Sequence, residues 1–118
     1  MQEFPPASEL GGLIGETLTQ VCLDPYSTQF HFDPSHITVE FAVEQIEPDG
    51  IVWRYKCVAA EGPQIMLHRL VGKIVTSIDS EGLRLKIGFD NGAQLHLLSE
   101  IGPYESDQIG TGGKFIVF

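Results

Sequence analysis

Apolar residues fall on alternate positions through much of this chain, which is the pattern of strands with one buried face. The clearest case is LRLKIGFDNGAQLHLL, residues 83–98, where Leu83, Leu85, Ile87 and Phe89 alternate with Arg84 and Lys86. Leu95 and Leu97 continue the pattern beyond Asp90-Asn91-Gly92. A two-residue Asn91-Gly92 loop would set Phe89 against the polar Gln94. A three-residue loop with Gly92 in the left-handed conformation instead sets Ile87 opposite Leu95 and Leu85 opposite Leu97, so parity predicts the bulged turn.

Earlier strands are predicted at Thr17–Leu23 and Thr28–Asp33, the latter with Thr28, Phe30 and Phe32 inward. The turn Asp33-Pro34-Ser35-His36 is expected to set Phe32 opposite Ile37. His36–Gln45 reads as one long strand with Ile37, Val39, Phe41 and Val43 inward and His36, Thr38, Glu40 and Glu44 outward. Pro48-Asp49-Gly50 supports a second bulged hairpin into Ile51–Val58, with Ile51, Trp53, Tyr55 and Cys57 inward. That register puts Glu44 beside Arg54 and Ala42 beside Lys56. Lys73–Asp79 and the carboxy-terminal Lys114–Phe118 are further strands, separated by a weakly patterned stretch to Ile109 and a flexible turn at Gly110–Gly113.

The chain repeats itself at a spacing of 57. Pro6, Leu10, Leu13, Gly15, Thr19, Phe32 and Asp33 recur as Pro63, Leu67, Leu70, Gly72, Thr76, Phe89 and Asp90. Seven identities between Pro6 and Asp33 exceed the roughly two expected by chance. Each copy opens with proline, two leucines three apart and a terminating glycine, which predicts short helical turns at Ala7–Leu13 and Gln64–Leu70. The expected fold is mainly β, an antiparallel sandwich or curled barrel of eight or nine strands with an internal two-fold repeat. It forms a single domain over 1–118, with copies at about 6–58 and 63–118.

Charge adds an asymmetry. The net charge is −9, and residues 1–53 hold nine acids and no lysine or arginine, whereas residues 54–118 hold seven of each sign. Such a balance repels nucleic acid and anionic membranes and attracts a basic protein partner. The candidate partner-binding residues are Asp33, Glu40, Glu44 and Asp49 on an acidic sheet face, with Tyr104 and Glu105 on a loop. Two cysteines suit a reducing cytoplasm, and no signal peptide or membrane-spanning run is read.

Chemistry is sparse. His31, His36, His68 and His96 lie in no metal-ligand spacing, so no metal is assigned. His31, His36 and Glu40 are read as solvated groups on one hairpin face. Gly11–Thr17 lacks the lysine of a phosphate loop, with Glu16 in its place, and no nucleophile elbow occurs. No cofactor or catalytic residue is assigned, and the chain is read as a binding module rather than an enzyme. The alternative is a β-barrel that holds a small apolar or aromatic ligand near Trp53, Tyr55 and His96, and a less favoured one is an orphan enzyme. The exposed last strand predicts homodimerisation through a sheet edge.

Leu70-Val71-Gly72, the Leu83 to Leu97 hairpin and Tyr104-Glu105-Ser106 resemble a family of small bacterial β-rich domains, some of them similar to immunity proteins of bacterial toxin systems. The likeness is best over residues 70–106. It implies a cytoplasmic protein that acts by binding, and it brings no catalytic residues.

Overall fold

The computed structural model describes residues 4, 7–57, 66–99, 108–111 and 114–117. Among these, ten strands form two antiparallel sheets. They are β1 (Leu18–Leu23), β2 (Thr28–Phe32), β3 (His36–Val39), β4 (Ala42–Ile46), β5 (Val52–Lys56), β6 (Val75–Glu81), β7 (Arg84–Phe89), β8 (Gln94–Leu98), β9 (Gln108–Thr111) and β10 (Lys114–Val117). One sheet has the order β1-β2-β3-β9-β10 and the other β5-β4-β8-β7-β6. The sheets do not close into a barrel, and the fold is a β-sandwich. No helix of the described residues is long and apolar enough to cross a membrane.

Parity selects the hairpins as expected. Leu85 pairs with Leu97 and Ile87 with Leu95, and Gly92 takes φ +87° in a turn closed by the Phe89 amide on the Ala93 carbonyl. Glu44 pairs with Arg54 and Ala42 with Lys56 across the second hairpin. Phe30, Ile37, Leu85, Ile87, Leu95, Leu97 and Ile109 are fully buried between the sheets. Each such side chain contributes about 1.5–3 kcal/mol on burial.

Four expectations are corrected. His36–Gln45 is two strands rather than one, because β2 ends at Thr28 opposite Val39 and offers no partner beyond it. The chain therefore crosses at Glu40 and Phe41 to pair with β8 in the other sheet. The turn after β2 is tighter than expected. Phe32 donates to the Ser35 carbonyl, so Ile37 faces Phe30 instead of Phe32. Gly110 and Thr111 belong to β9 and pair with Phe115 and Lys114, so the expected flexible turn does not include them. Ile51 is 48% exposed despite its inward parity, because it sits beside the turn that closes its hairpin, just outside β5.

The two helical turns are short 3-10 pieces, Ala7–Glu9 with Gly11–Leu13, and Leu67–Leu70. They end alike. Ile14 and Val71 have φ −64° with ψ 128° and 131°, and Gly15 and Gly72 follow at φ +91° and +89°. These turns then exchange backbone bonds across the repeat. The Gly15 amide donates to Val75 at 2.8 Å and Gly72 to Leu18 at 2.7 Å, while Leu18 donates to Lys73 and Val75 to Glu16. Thr17 and Ile74 form a bridge between them. Even the bulges coincide, at Leu18/Gln20 in β1 and Val75/Ser77 in β6.

The repeats are interleaved as well as symmetric. Each sheet takes three strands from one copy and two from the other, and β10 lies at a sheet edge, where edge pairing would need it. Because the two glycine turns make equivalent bonds, Gly15→Ala and Gly72→Ala are expected to destabilise the fold by similar amounts, about 1–2 kcal/mol each. Urea unfolding of both variants checks this, and a penalty at only one site would contradict the equivalence.

Candidate docking surface

The acidic residues of the first half do not share a sheet face. The outer face of β1, β2 and β3 carries Gln20, Cys22, Gln29, His31, His36 and Thr38, none of them acidic. His31 and His36 stand directly opposite each other with ring centroids 6.3 Å apart. Glu40 lies on the crossing between the sheets, outside both β3 and β4, and is not part of either sheet's outer face. The strand break is the reason for this correction.

Glu44 sits instead on the outer face of the other sheet, among the bases. Its carboxylate accepts from Arg84 at 2.7 Å and Arg54 at 3.5 Å, with His96 Nδ1 at 4.0 Å. Arg84 also contacts His96 Nδ1 at 2.9 Å, and His96 Nε2 contacts Gln94 Oε1. His96 is 8% exposed although its parity is outward. Burial is the main cause holding its pKa below the usual 6.5, and the Arg84 charge lowers it further against the opposing pull of Glu44.

Trp53 and Tyr55 lie on the opposite, inward side of that sheet from His96. The three residues therefore do not line one pocket, and the barrel interior expected for the small-ligand alternative does not form. Tyr55 and Trp53 serve to anchor the second 3-10 turn. The Met66 amide donates to Tyr55 Oη at 2.7 Å, and Gln45 Nε2 donates to the Met66 carbonyl at 2.9 Å. Trp53 Nε1 donates to Glu47 Oε2 at 3.1 Å, and Arg69 is ion-paired with Glu47 Oε1. The Arg69 and Trp53 bonds hold the Glu47 carboxyl below its usual range, whereas burial pushes the Tyr55 hydroxyl up.

One end of the sandwich does gather exposed carboxylates. Leu18 pairs with Phe32 and Val75 with Phe89, so the β2–β3 and β7–β8 turns both flank the Thr17–Ile74 bridge. Glu16 bonds the Ser35 amide at 2.8 Å on one side, and the Asp90 amide donates to Ile74 at 2.9 Å on the other. The β4–β5 turn joins them, since Pro48 Cβ lies 3.8 Å from where a side chain on Gly92 would begin. Asp33, Asp49 and Asp90 are thereby brought to one end and are all exposed.

Exposed apolar side chains sit at the same junction. Ile14 is 52% exposed, Val71 41% and Ile74 41%, with Ile51 at the neighbouring turn. Ile14 and Val71 are equivalent positions in the two copies. Asp33 makes no hydrogen bond or ion pair among the described residues, whereas Asp49 caps the Ile51 amide at 3.1 Å. Tyr104 and Glu105 lie outside the described residues. Sequence reasoning missed Ile14, Val71, Ile74 and Asp90. The repeat was the available signal, because it pairs Asp33 with Asp90 and Ile14 with Val71.

No group of three or more metal-ligating side chains occurs among the described residues. No family model, curated protein or solved structure matches the chain.

The His96 environment has a signed consequence. A histidine with a depressed folded pKa leaves the unfolded chain binding more protons once pH falls below about 6.5, so stability declines from there down to the folded value and then levels. Replacing His96 with Gln is expected to flatten this part of the stability–pH curve. Urea midpoints between pH 5 and 8 test it, and an unchanged slope would remove His96 as the cause.

Proposed function

We propose that this chain is a non-catalytic protein-binding module whose turn-bearing end docks a basic protein, in the manner of an immunity protein on a cationic toxin. The observation that carries the reading is the gathering of Asp33, Asp49 and Asp90 around exposed Ile14, Val71 and Ile74. Apolar area surrounded by charge of one sign is the composition of an interface with a core and a polar rim. The net charge of −9 steers a cationic partner toward the molecule, and the local carboxylates orient it on arrival.

Self-association through this end is opposed by the same charges, because two copies would bring their aspartates face to face. A basic partner removes that conflict. Asp33 is well suited to meet a lysine or arginine, since its carboxylate is not engaged within the described structure.

The test compares two variants of equal charge change. Asp33→Lys/Asp49→Lys alters the proposed surface, and Asp79→Lys/Glu81→Lys alters the far end of β6. Partners captured from a lysate of the source organism are identified by mass, then titrated in purified form. The expected result is a basic partner whose association rate falls at least tenfold for the first variant, changes little for the second, and declines with salt. Equal loss in both variants would reduce the effect to net charge and sink the assignment of this surface.

A further inference from the structure

We propose that the outer edge of β5, which pairs with no further strand among the described residues, is a docking strand for an extended segment of a partner protein in which acidic and apolar residues alternate. This is a second surface, opposite in charge to the turn-bearing end and independent of it.

The backbone register supplies the first argument. The Glu47 amide donates to Ile51, and the Cys57 amide donates to Phe41. Antiparallel bonding alternates, so Ile51, Trp53, Tyr55 and Cys57 bond toward β4. The amides and carbonyls of Val52, Arg54 and Lys56 therefore point away from the sheet, and β5 is its outermost strand. The edges of β1 and β6 are different, since each carries a bulge and is tied at its start to the other copy. The pairing of β5 with β4 runs without a register shift from Val52 to Lys56. Strand addition needs such an uninterrupted row of donors and acceptors.

Side chains define the occupant. Arg54 and Lys56 project from one face of this edge, and the Arg54 side chain is 56% exposed. Glu44 is held more closely by Arg84, at 2.7 Å, than by Arg54 at 3.5 Å. Lys56 stands opposite Ala42 and has no counter-charge across the pair. On the other face, Trp53 is half-buried and Ile51 48% exposed. An incoming strand thus meets cations at alternate positions and apolar groups between them.

Cationic edges resist pairing with their own kind. In an antiparallel β5–β5 contact centred on Arg54, the two guanidinium groups would oppose each other directly. A strand bearing carboxylates at those positions turns this repulsion into attraction. That argument selects an acidic segment over a second copy of the chain.

Trp53 is the sole tryptophan, so it reports on its own strand. The full chain is titrated with a peptide of alternating Glu and Val, and with the matching Lys–Val peptide as control. The expected results are a saturable change in Trp53 fluorescence with Glu–Val alone, and slowed hydrogen exchange at the Val52, Arg54 and Lys56 amides. Val52→Pro removes one outward donor without touching a β4 bond, and is expected to weaken binding at least tenfold. Lys56→Glu is expected to weaken Glu–Val binding at least fivefold and to favour the Lys–Val peptide. Binding that survives Val52→Pro unchanged, or that leaves those three amides unprotected, would overturn strand addition. Protection of the same amides without peptide, in a chain that sediments as a dimer, would make the occupant a second copy and overturn the acidic-segment proposal.

Discussion

Four backbone hydrogen bonds between the two glycine turns hold this molecule in its particular form. Gly15 to Val75, Gly72 to Leu18, Leu18 to Lys73 and Val75 to Glu16 are two symmetric pairs, and they bracket the Thr17–Ile74 bridge. Each copy alone would leave these groups facing water or the core unpaired, at a cost of about 1–3 kcal/mol for each one buried. Together the copies satisfy one another. Beneath the turns, Leu10, Leu13, Leu67 and Leu70 are almost wholly buried, so the polar exchange is sealed by apolar contact on its inner side. The bulges in β1 and β6 follow from the same constraint, since each strand must leave the junction before it can pair normally with its neighbour.

Interleaving explains what became of the charge asymmetry. Nine acids without a base in the first half suggest one negative side of the molecule. Yet β4 and β5, encoded in that half and at its border, lie in the sheet built mainly from the second copy. Glu44 is carried there with them and meets Arg84, forty residues away in sequence. Other carboxylates are used locally. Glu16 fixes the turn at Ser35 through its amide and hydroxyl, Asp24 accepts from Ser27 and Gln29, and Glu47 accepts from Trp53 and Arg69. An uneven charge along a chain becomes an uneven field only where the fold keeps the segments apart, and here it weaves them together.

What could be read in advance depended on local information. Hairpin registers at Leu85–Leu97 and Glu44–Arg54 followed from parity and turn chemistry, because both operate within a few residues. The repeat was readable because it is an identity in sequence, and its structural meaning is visible in the matched glycine turns. The strand break after Val39 was not readable, since alternation continues through Phe41 and Val43 without interruption. Only the length of β2, a non-local fact, ends that pairing. Gln45 was missed for a similar reason. Its parity is inward, but its burial at 1% depends on the Met66 carbonyl it reaches from a distant segment. The candidate surface was half readable. Asp33 and Asp49 stand out by charge alone, but the apolar residues between the turns become neighbours only when both copies fold.

The two proposed docking surfaces differ in what they would offer a partner. At the turn-bearing end, exposed side chains project from turns between strands, so recognition there would rest on apolar area and on carboxylates. At the β5 edge the outward backbone groups have no partner strand among the described residues, and its cations would only select which strand is admitted. These demands conflict if placed on one element, because a turn with satisfied amides has none to offer a partner strand. The interleaved topology separates them. By sending β4 and β5 across to the opposite sheet, it leaves the hairpin turn beside the other aspartate-bearing turns and places the far side of the same hairpin at an open edge. One β-hairpin, Ala42 to Lys56, thus contributes Asp49 to the acidic end and Arg54 and Lys56 to the basic edge. A single crossing of the chain, at Glu40 and Phe41, is what makes both available in one small sandwich.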